Sequence, residues 1–128
     1  MKTKLVQAIN HQNETNFSKL IVCIRQKLIS EPFCFDREFA DSGILVILLE
    51  FVESKQRMDL QVTSDVFEIL GMACVSSSVR NSIIEHNAMF FKDVIQDYLR
   101  SIEEIYARNL YYFLANFVSE PDERDLFT

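Results

Sequence analysis

The chain alternates between short polar stretches and segments whose apolar residues recur every three or four positions. This spacing predicts α-helices, because a helix turns once every 3.6 residues and such positions share one face. The first segment spans residues 2–11 and ends at the polar stretch "HQNETN". Asn16 is expected to cap a second helix, which Pro32 cannot continue. The apolar face of that second helix consists of Phe17, Leu20, Ile21, Ile24 and Leu28.

The most apolar segment, "ILVILLEFV", begins at Ile44 and predicts a helix that ends near Glu53. Its residues are apolar nearly all round, which is typical of a helix buried on most sides. A strand is the competing interpretation, because isoleucine and valine favour sheets. Helix is favoured, because the segment shows no alternation of polar and apolar residues and no nearby segment reads as a partner strand.

The next predicted helix, "DVFEILGMACV", begins after a cap at Thr63 or Ser64 and contains Gly71. A glycine inside a helix costs about 1 kcal/mol relative to alanine. We therefore expect a neighbouring helix to approach closely at Gly71. Three further helices are predicted after the serines at 76–78, in the segments "VRNSIIEHN", "MFFKDVIQDYLRS" and "EEIYARNLYYFLANFVSE".

Composition supports a helical domain. The chain of 128 residues is 48% apolar, which is enough for a core and argues against disorder. It has only two glycines and two prolines, whereas an all-β domain needs many tight turns built from these residues. The net charge is −6 and basic residues are scattered among acids, so we expect no nucleic-acid partner. The acidity serves solubility or, alternatively, steers a basic partner.

Cysteines and histidines give no sign of a metal or cofactor site. The three cysteines form no CxxC pair, and the two histidines lie far apart, so no zinc site can be assembled by spacing. The first residues contain no apolar run long enough for a signal peptide. The longest apolar run, Ile44 to Leu49, is too short to span a membrane. We therefore expect reduced thiols, no membrane association, and an intracellular location in the cytoplasm or nucleus.

Two parts of the chain resemble each other about 43 residues apart. Each reads as a short helix, a turn of polar or small residues, a middle helix and a longer last helix. Val75-Ser76 closes the first unit, and Val118-Ser119 closes the second. A period in the low forties lies in the range of armadillo and HEAT repeats.

Local motifs carry a resemblance to the armadillo family. "VRNSIIEHNAM" resembles the first helix and turn of an armadillo repeat, "FADSGIL" resembles the same place in the preceding unit, and "LANFV" resembles the end of a third helix. The resemblance covers roughly residues 37–120. It implies an all-α fold, a short armadillo-like right-handed superhelix of about two to three helical repeats. We expect one domain over 1–128, with a partial leading repeat at 1–36, repeats at 37–78 and 79–122, and an acidic tail at 123–128.

The serine stretch is interpreted as the seam between two stacked repeats. Serines 76–78 are expected to end one helix and cap the next. Arg80 and Asn81 are expected to lie outward, while Val79 and Ile83, with Ile84, turn inward. An ordinary loop in a globular bundle is the alternative.

The resemblance also implies a binding surface. In armadillo proteins that bind peptides, the third helices line a groove in which a tryptophan and, four residues later, an asparagine form a ladder. By position Asn116 matches the asparagine, Tyr112 replaces the tryptophan, and Arg108 extends the same face. The corresponding positions of the earlier unit are Ile69 and Ala73, so the ladder is not repeated. Alternatively, Asn116 is a solvated polar residue and Tyr112 packs at the edge of the core.

Consecutive aromatic residues add a further candidate. Tyr111, Tyr112 and Phe113 cannot all face one interior, because successive helical residues differ by about 100°. At least one of them should reach the surface, where aromatic rings are frequent anchors for partners. The predicted partner-binding residues are therefore Arg108, Tyr111, Tyr112 and Asn116.

Sequence motifs give no sign of catalysis. The chain lacks a glycine-rich phosphate loop, a GxSxG elbow and an HExxH motif, and His86 is interpreted as a turn residue. We expect a non-catalytic scaffold or adaptor that presents a helical-repeat surface to a protein or peptide partner. Homo-oligomers through the repeat ends are a further expectation. The alternative is a compact α-helical bundle, a regulatory domain whose groove binds an amphipathic helix of a partner.

Overall fold

The computed structural model describes residues 2–31, 43–54, 60–86, 95–101 and 104–117. Within these ranges every helix or strand is an α-helix, so the predicted all-α class is confirmed. The helices are α1 (Lys2–Asn10), α2 (Glu14–Ser30), α3 (Ile44–Glu53), α4 (Leu60–Ala73), α5 (Ser77–His86), α6 (Gln96–Ser101) and α7 (Glu104–Phe117).

Helix α3 has the bounds that the apolar pattern predicts, and the strand interpretation is wrong. It is buried on most of its circumference, as expected for a helix with almost no polar face. Its exposed positions are Val46 and Glu50, one helical turn apart. The buried residues are Ile44, Leu45, Ile47, Leu48, Leu49, Phe51 and Val52. This helix therefore supplies the centre of the core.

Two predicted helix starts are wrong. Helix α2 begins at Glu14, and the Asn13 side chain accepts a hydrogen bond from the Asn16 amide at 3.2 Å, so Asn13 is the cap and not Asn16. The polar stretch offers two asparagines three residues apart, and only the first precedes the helical backbone. Helix α4 already begins at Leu60, so Thr63 and Ser64 lie buried within it and cannot cap it.

The helices contact one another in two rows. Helices α1, α3 and α5 form one row, in which α3 contacts both neighbours. Helices α2, α4 and α7 form the other row, in which α4 contacts both neighbours. The rows pack together through the α1–α2 and α3–α4 contacts, so the apolar faces of both rows enclose one core.

The seam between α4 and α5 contains one correction. Ser76 precedes α5, and its amide donates to the Ala73 carbonyl at 3.1 Å, so the serine stretch separates two helices as predicted. Arg80 does not lie outward: it is only 5% exposed and donates to the Cys74 carbonyl at 2.6 Å. The last carbonyls of a helix lack partners within the helix, and the Arg80 guanidinium provides one for α4.

Two polar contacts join α3 to the following helices. His86, at the end of α5, lies 2.8 Å from the Glu53 carboxylate through its Nε2 atom. The Tyr98 hydroxyl of α6 donates to the Val52 carbonyl at 3.0 Å. Both contacts satisfy polar groups at the end of α3.

The predicted repeat boundaries remain predictions. Those at 36/37 and 122/123, with the turns around residues 41 and 87 and the acidic tail, lie outside the described residues. The boundary at 78/79 falls in the first turn of α5, which begins at Ser77. In the part of the chain that the structure describes, none of the helices combines the length and apolar character needed to cross a bilayer.

Candidate functional site

Helices α4 and α7 pair at a constant separation along the sequence. The Asn109 side-chain nitrogen donates to the Ser64 carbonyl at 3.1 Å, and that of Asn116 donates to the Gly71 carbonyl at 2.8 Å. Both pairs are 45 residues apart. Because residue numbers rise together on the two helices, α4 and α7 run parallel.

Helix α7 approaches α4 closely at Gly71. A Cβ atom built at Gly71 would lie 2.5 Å from Cδ1 of Tyr112 and 3.2 Å from the Cα of Phe113. Any side chain at position 71 would therefore press on the aromatic ring and on the backbone of α7. This confirms the expectation that a neighbouring helix offsets the conformational cost of a glycine inside α4.

Asn116 has an internal partner, because its amide nitrogen contacts the Gly71 carbonyl. Asn109 lies seven residues, or about two turns, earlier on the same stripe of α7 and makes the equivalent contact to Ser64. The two amides thus fix α7 on α4. An amide nitrogen carries two hydrogens, and the contact to the Gly71 carbonyl uses one of them, which is compatible with a second bond to a peptide. That role stays a prediction.

A groove of about 460 Å³ lies between α4 and α7. One wall carries carboxylates from α4, and the other carries a guanidinium and a phenol ring from α7. The lining residues are Gln61, Ser64, Asp65 and Glu68 of α4 with Arg108, Asn109 and Tyr112 of α7. Of the predicted partner-binding residues, the structure therefore brings Arg108 and Tyr112 together in this groove. Tyr111 and Asn116 lie outside its lining.

The consecutive aromatic residues separate as helical geometry requires. Tyr111 is 60% exposed and Tyr112 is 41% exposed, whereas Phe113 is fully buried. The prediction that at least one of the three rings reaches the surface is confirmed. Two tyrosine rings are thus available on the outer side of α7, with Arg108 one turn earlier on the same side.

The α4 wall carries two carboxylates one turn apart. Asp65 accepts a hydrogen bond from the Gln61 amide at 2.9 Å. Burial raises the pKa of the Asp65 carboxyl, the neighbouring charge of Glu68 adds to that rise, and the Gln61 hydrogen bond and the Arg25 charge oppose it. Glu68 forms an ion pair with Arg25 of α2. The polar surface of the groove between α4 and α7 therefore continues onto α2.

Sequence reasoning missed this acidic wall. The positions expected to correspond to Tyr112 and Asn116 on α4 were Ile69 and Ala73, and both are fully buried. The usable signal was a polar stripe with helical spacing in an otherwise apolar helix. This stripe consists of Gln61, Ser64, Asp65 and Glu68.

Other reactive groups do not cluster. Cys23 is exposed and Cys74 is buried, and neither forms a disulfide bond, while Cys34 lies outside the described residues. Among the residues that the structure describes, no three histidine, cysteine, aspartate or glutamate side chains come together in a way that could hold a metal ion.

Comparison of the chain with protein-family models, with curated proteins and with solved structures finds no match. The armadillo-like interpretation therefore depends on the sequence motifs and on the arrangement of the helices. Among the described contacts, the two asparagine hydrogen bonds between α4 and α7 show how these two parallel helices are aligned along their axes.

Proposed function

We propose that the chain is a non-catalytic protein-interaction module, made of about two to three stacked armadillo-like repeats, that binds a protein or peptide partner. The observation that carries this proposal is the parallel pairing of α4 and α7 beside α2. In a stack of repeats, equivalent helices of successive units run parallel and contact each other, because each unit packs on a copy of itself.

Contacts elsewhere in the fold support the same period. Arg25 pairs with Glu68 at a separation of 43 residues, the two asparagine contacts have a separation of 45, and Tyr98 contacts Val52 at 46. A unit of 43–46 residues repeated along the chain produces such nearly constant separations. The sequence period of about 43 residues agrees with them.

The groove between α4 and α7 is the proposed binding surface. Its volume of about 460 Å³ lies within the usual range for ligand sites. Arg108 and Tyr112 line one wall, and arginine and tyrosine are enriched among residues that dominate binding energy. Tyr111 adds an exposed ring on the same helix. A short segment of a protein partner fits this combination of aromatic, cationic and acidic groups.

A pair of matched double variants tests this surface. Arg108→Ala with Tyr112→Ala removes one wall of the groove, whereas Leu99→Ala with Arg100→Ala removes one exposed apolar residue and one exposed arginine from α6. We expect the wild type and the α6 variant to capture the same partner from an extract of the cells that produce the protein. The groove variant should lose that partner while keeping its helical circular-dichroism spectrum. Equal capture by all three proteins would reject the groove assignment.

The compact-bundle alternative has one observation in its favour. Helix α3 is buried nearly all round, and a smaller groove of about 250 Å³ lies beside it against α1. Val6 and Ile9 of α1 and Ile47 of α3 contribute apolar surface there, which suits the apolar face of a partner helix. Loss of the captured partner in Val6→Asp, with retention in Arg108→Ala with Tyr112→Ala, would favour this alternative.

A further inference from the structure

A second groove, between α1 and α2, differs in charge from the rest of the molecule. It measures about 470 Å³, and its charged or titratable side chains are Lys4, His11 and Lys19. The other lining residues are Gln7, Ala8, Asn13, Asn16, Leu20 and Cys23. No described carboxylate lines it, although the chain as a whole has a net charge of −6.

The positive character of this groove comes mainly from its lysines. It lies at the beginning of α2, a helix of 17 residues whose amino-terminal partial positive charge is partly offset by Glu14 in the first turn. Lysine ammonium groups and side-chain amides line the walls, and both kinds of group donate hydrogen bonds. The groove therefore suits a segment that carries several carboxylates.

The chain contains such a segment at residues 120–125, outside the described residues. The segment, "EPDERD", has four carboxylates and one guanidinium. It begins three residues and ends eight residues beyond Phe117, the last residue of α7. Since a fully extended chain advances about 3.4 Å per residue, its acids reach at most about 10 to 27 Å from that point.

The groove lies too far from α7 for the whole segment to bind within one copy. Helix α4 lies between α2 and α7 in their row, because it contacts both of them. Two interaxial distances of 8–10 Å place α2 roughly 16–20 Å from α7, and the groove lies against α1. Only the last acids of the segment could reach it in the same copy.

We propose that the acidic segment 120–125 of one copy binds in the α1–α2 groove of a second copy. Its carboxylates pair with Lys4 and Lys19, which gives a head-to-tail contact between copies. Such a contact joins different surfaces of the two copies, so it can extend beyond a dimer. Because Lys4 and Lys19 are exposed, the association is weak and falls with ionic strength. It does not depend on the partner of the α4–α7 groove.

Charge reversal tests this contact in the full-length protein. Sedimentation velocity at increasing concentration should show reversible association at about 0.02 M salt and much less at about 0.5 M salt, since the screening length shortens several-fold. Lys4→Glu with Lys19→Glu should abolish association, and so should Asp122→Lys with Glu123→Lys. The protein with all four substitutions should associate again. Lys27→Glu with Arg100→Glu changes the net charge equally outside the groove and should leave association intact.

A labelled peptide of residues 117–128 measures the groove directly. Its dissociation constant from the full-length protein, followed by fluorescence anisotropy, should rise at least tenfold in Lys4→Glu with Lys19→Glu. Reversing the charges of the peptide at positions 122 and 123 should restore its binding to that variant.

Three results would overturn the proposal. A monomer at every concentration that does not bind the peptide leaves the groove without this ligand. A monomer that binds the peptide more tightly after Asp122→Lys with Glu123→Lys assigns the groove to the segment of its own chain. Association that is unaffected by both charge reversals places the contact between copies elsewhere. None of these results affects partner capture through Arg108 and Tyr112.

Discussion

Helix α4 contacts two neighbours in its own row, and it does so by different means. Toward α7 it presents Gly71, whose missing side chain lets the Tyr112 ring approach, and two carbonyls that accept hydrogen bonds from asparagines. Toward α2 it presents Glu68, which pairs with Arg25 at the surface. One contact depends on close backbone approach, and the other includes an exposed ion pair.

The difference indicates where substitutions should matter. A close approach between helices permits little change of size at position 71, because interiors are packed as densely as crystals. A surface ion pair between long side chains gains little free energy, because water screens it and the side chains lose conformational freedom. We therefore expect the α4–α7 contact to be sensitive to substitution and the polar part of the α2–α4 contact to tolerate it.

The largest expected effect is that of Gly71→Ala. Alanine favours a helix by about 1 kcal/mol, but the added methyl group would press on Tyr112 and on the Phe113 backbone, and such overpacking costs about 1–3 kcal/mol. We expect a net loss of up to about 2 kcal/mol in the free energy of unfolding, measured in urea. A double-mutant cycle with Tyr112→Ala should recover part of this loss. A stabilised Gly71→Ala protein would show that α7 does not approach closely.

The two asparagine contacts should each contribute less. Asn109→Ala and Asn116→Ala each remove a hydrogen bond to an α4 carbonyl, which is expected to cost about 1 kcal/mol. The two positions lie about 10 Å apart along α7, so their effects should add. Asn81→Ala, at an exposed position of α5, is the matched control and should change the free energy of unfolding little. Equal losses at all three positions would remove the special role of the α4–α7 contact.

The ion pair between Arg25 and Glu68 should matter less still. The exposed fractions of the two side chains are 46% and 29%, so a coupling energy of only about 0.2–1 kcal/mol is expected. A double-mutant cycle of Arg25→Ala and Glu68→Ala at low and high salt measures it. A coupling above about 2 kcal/mol, or one unaffected by salt, would contradict the distinction between the two contacts of α4.

The smallest expected effect concerns Asp65. Burial raises the pKa of this carboxyl above its ordinary value of 3.8, so folding takes up protons there. Its contribution to stability is fully present below pH 3.8 and is lost as the pH rises through the folded-state pKa. Asp65→Asn should therefore raise stability at pH 7, by no more than about 0.5 kcal/mol, and flatten this part of the pH profile. Unfolding in urea at several pH values tests this, and lower stability of Asp65→Asn at pH 7 would contradict it.

The sequence predicts those features of the fold that depend on one helix at a time. The bounds of α3 follow from its apolar run, and the exposure of Tyr111 and Tyr112 follows from 100° steps along α7. The role of Gly71 also follows, because the cost of a glycine in a helix must be offset by a neighbour.

Features that depend on a second helix are harder to predict. The helical spacing of apolar residues indicates that α4 is largely buried. It does not show that α7 contacts Gly71 and Ser64 and leaves Asp65 beside a groove. Arg80 was expected to lie outward, because a charged residue usually does, whereas its hydrogen bond to the Cys74 carbonyl at the end of α4 holds it inside. Such choices depend on the partners that tertiary packing brings within reach.

Arg80 also determines how the seam can move. Bending the junction between α4 and α5 would pull its guanidinium from the Cys74 carbonyl inside an apolar interior, where a lost charge-assisted hydrogen bond is expensive. We therefore expect this junction to be a stiff corner and not a hinge. In the proposed binding mode, a molecule that docks across α4 and α7 would meet a corner that is fixed before contact, so little ordering entropy would be lost there on association.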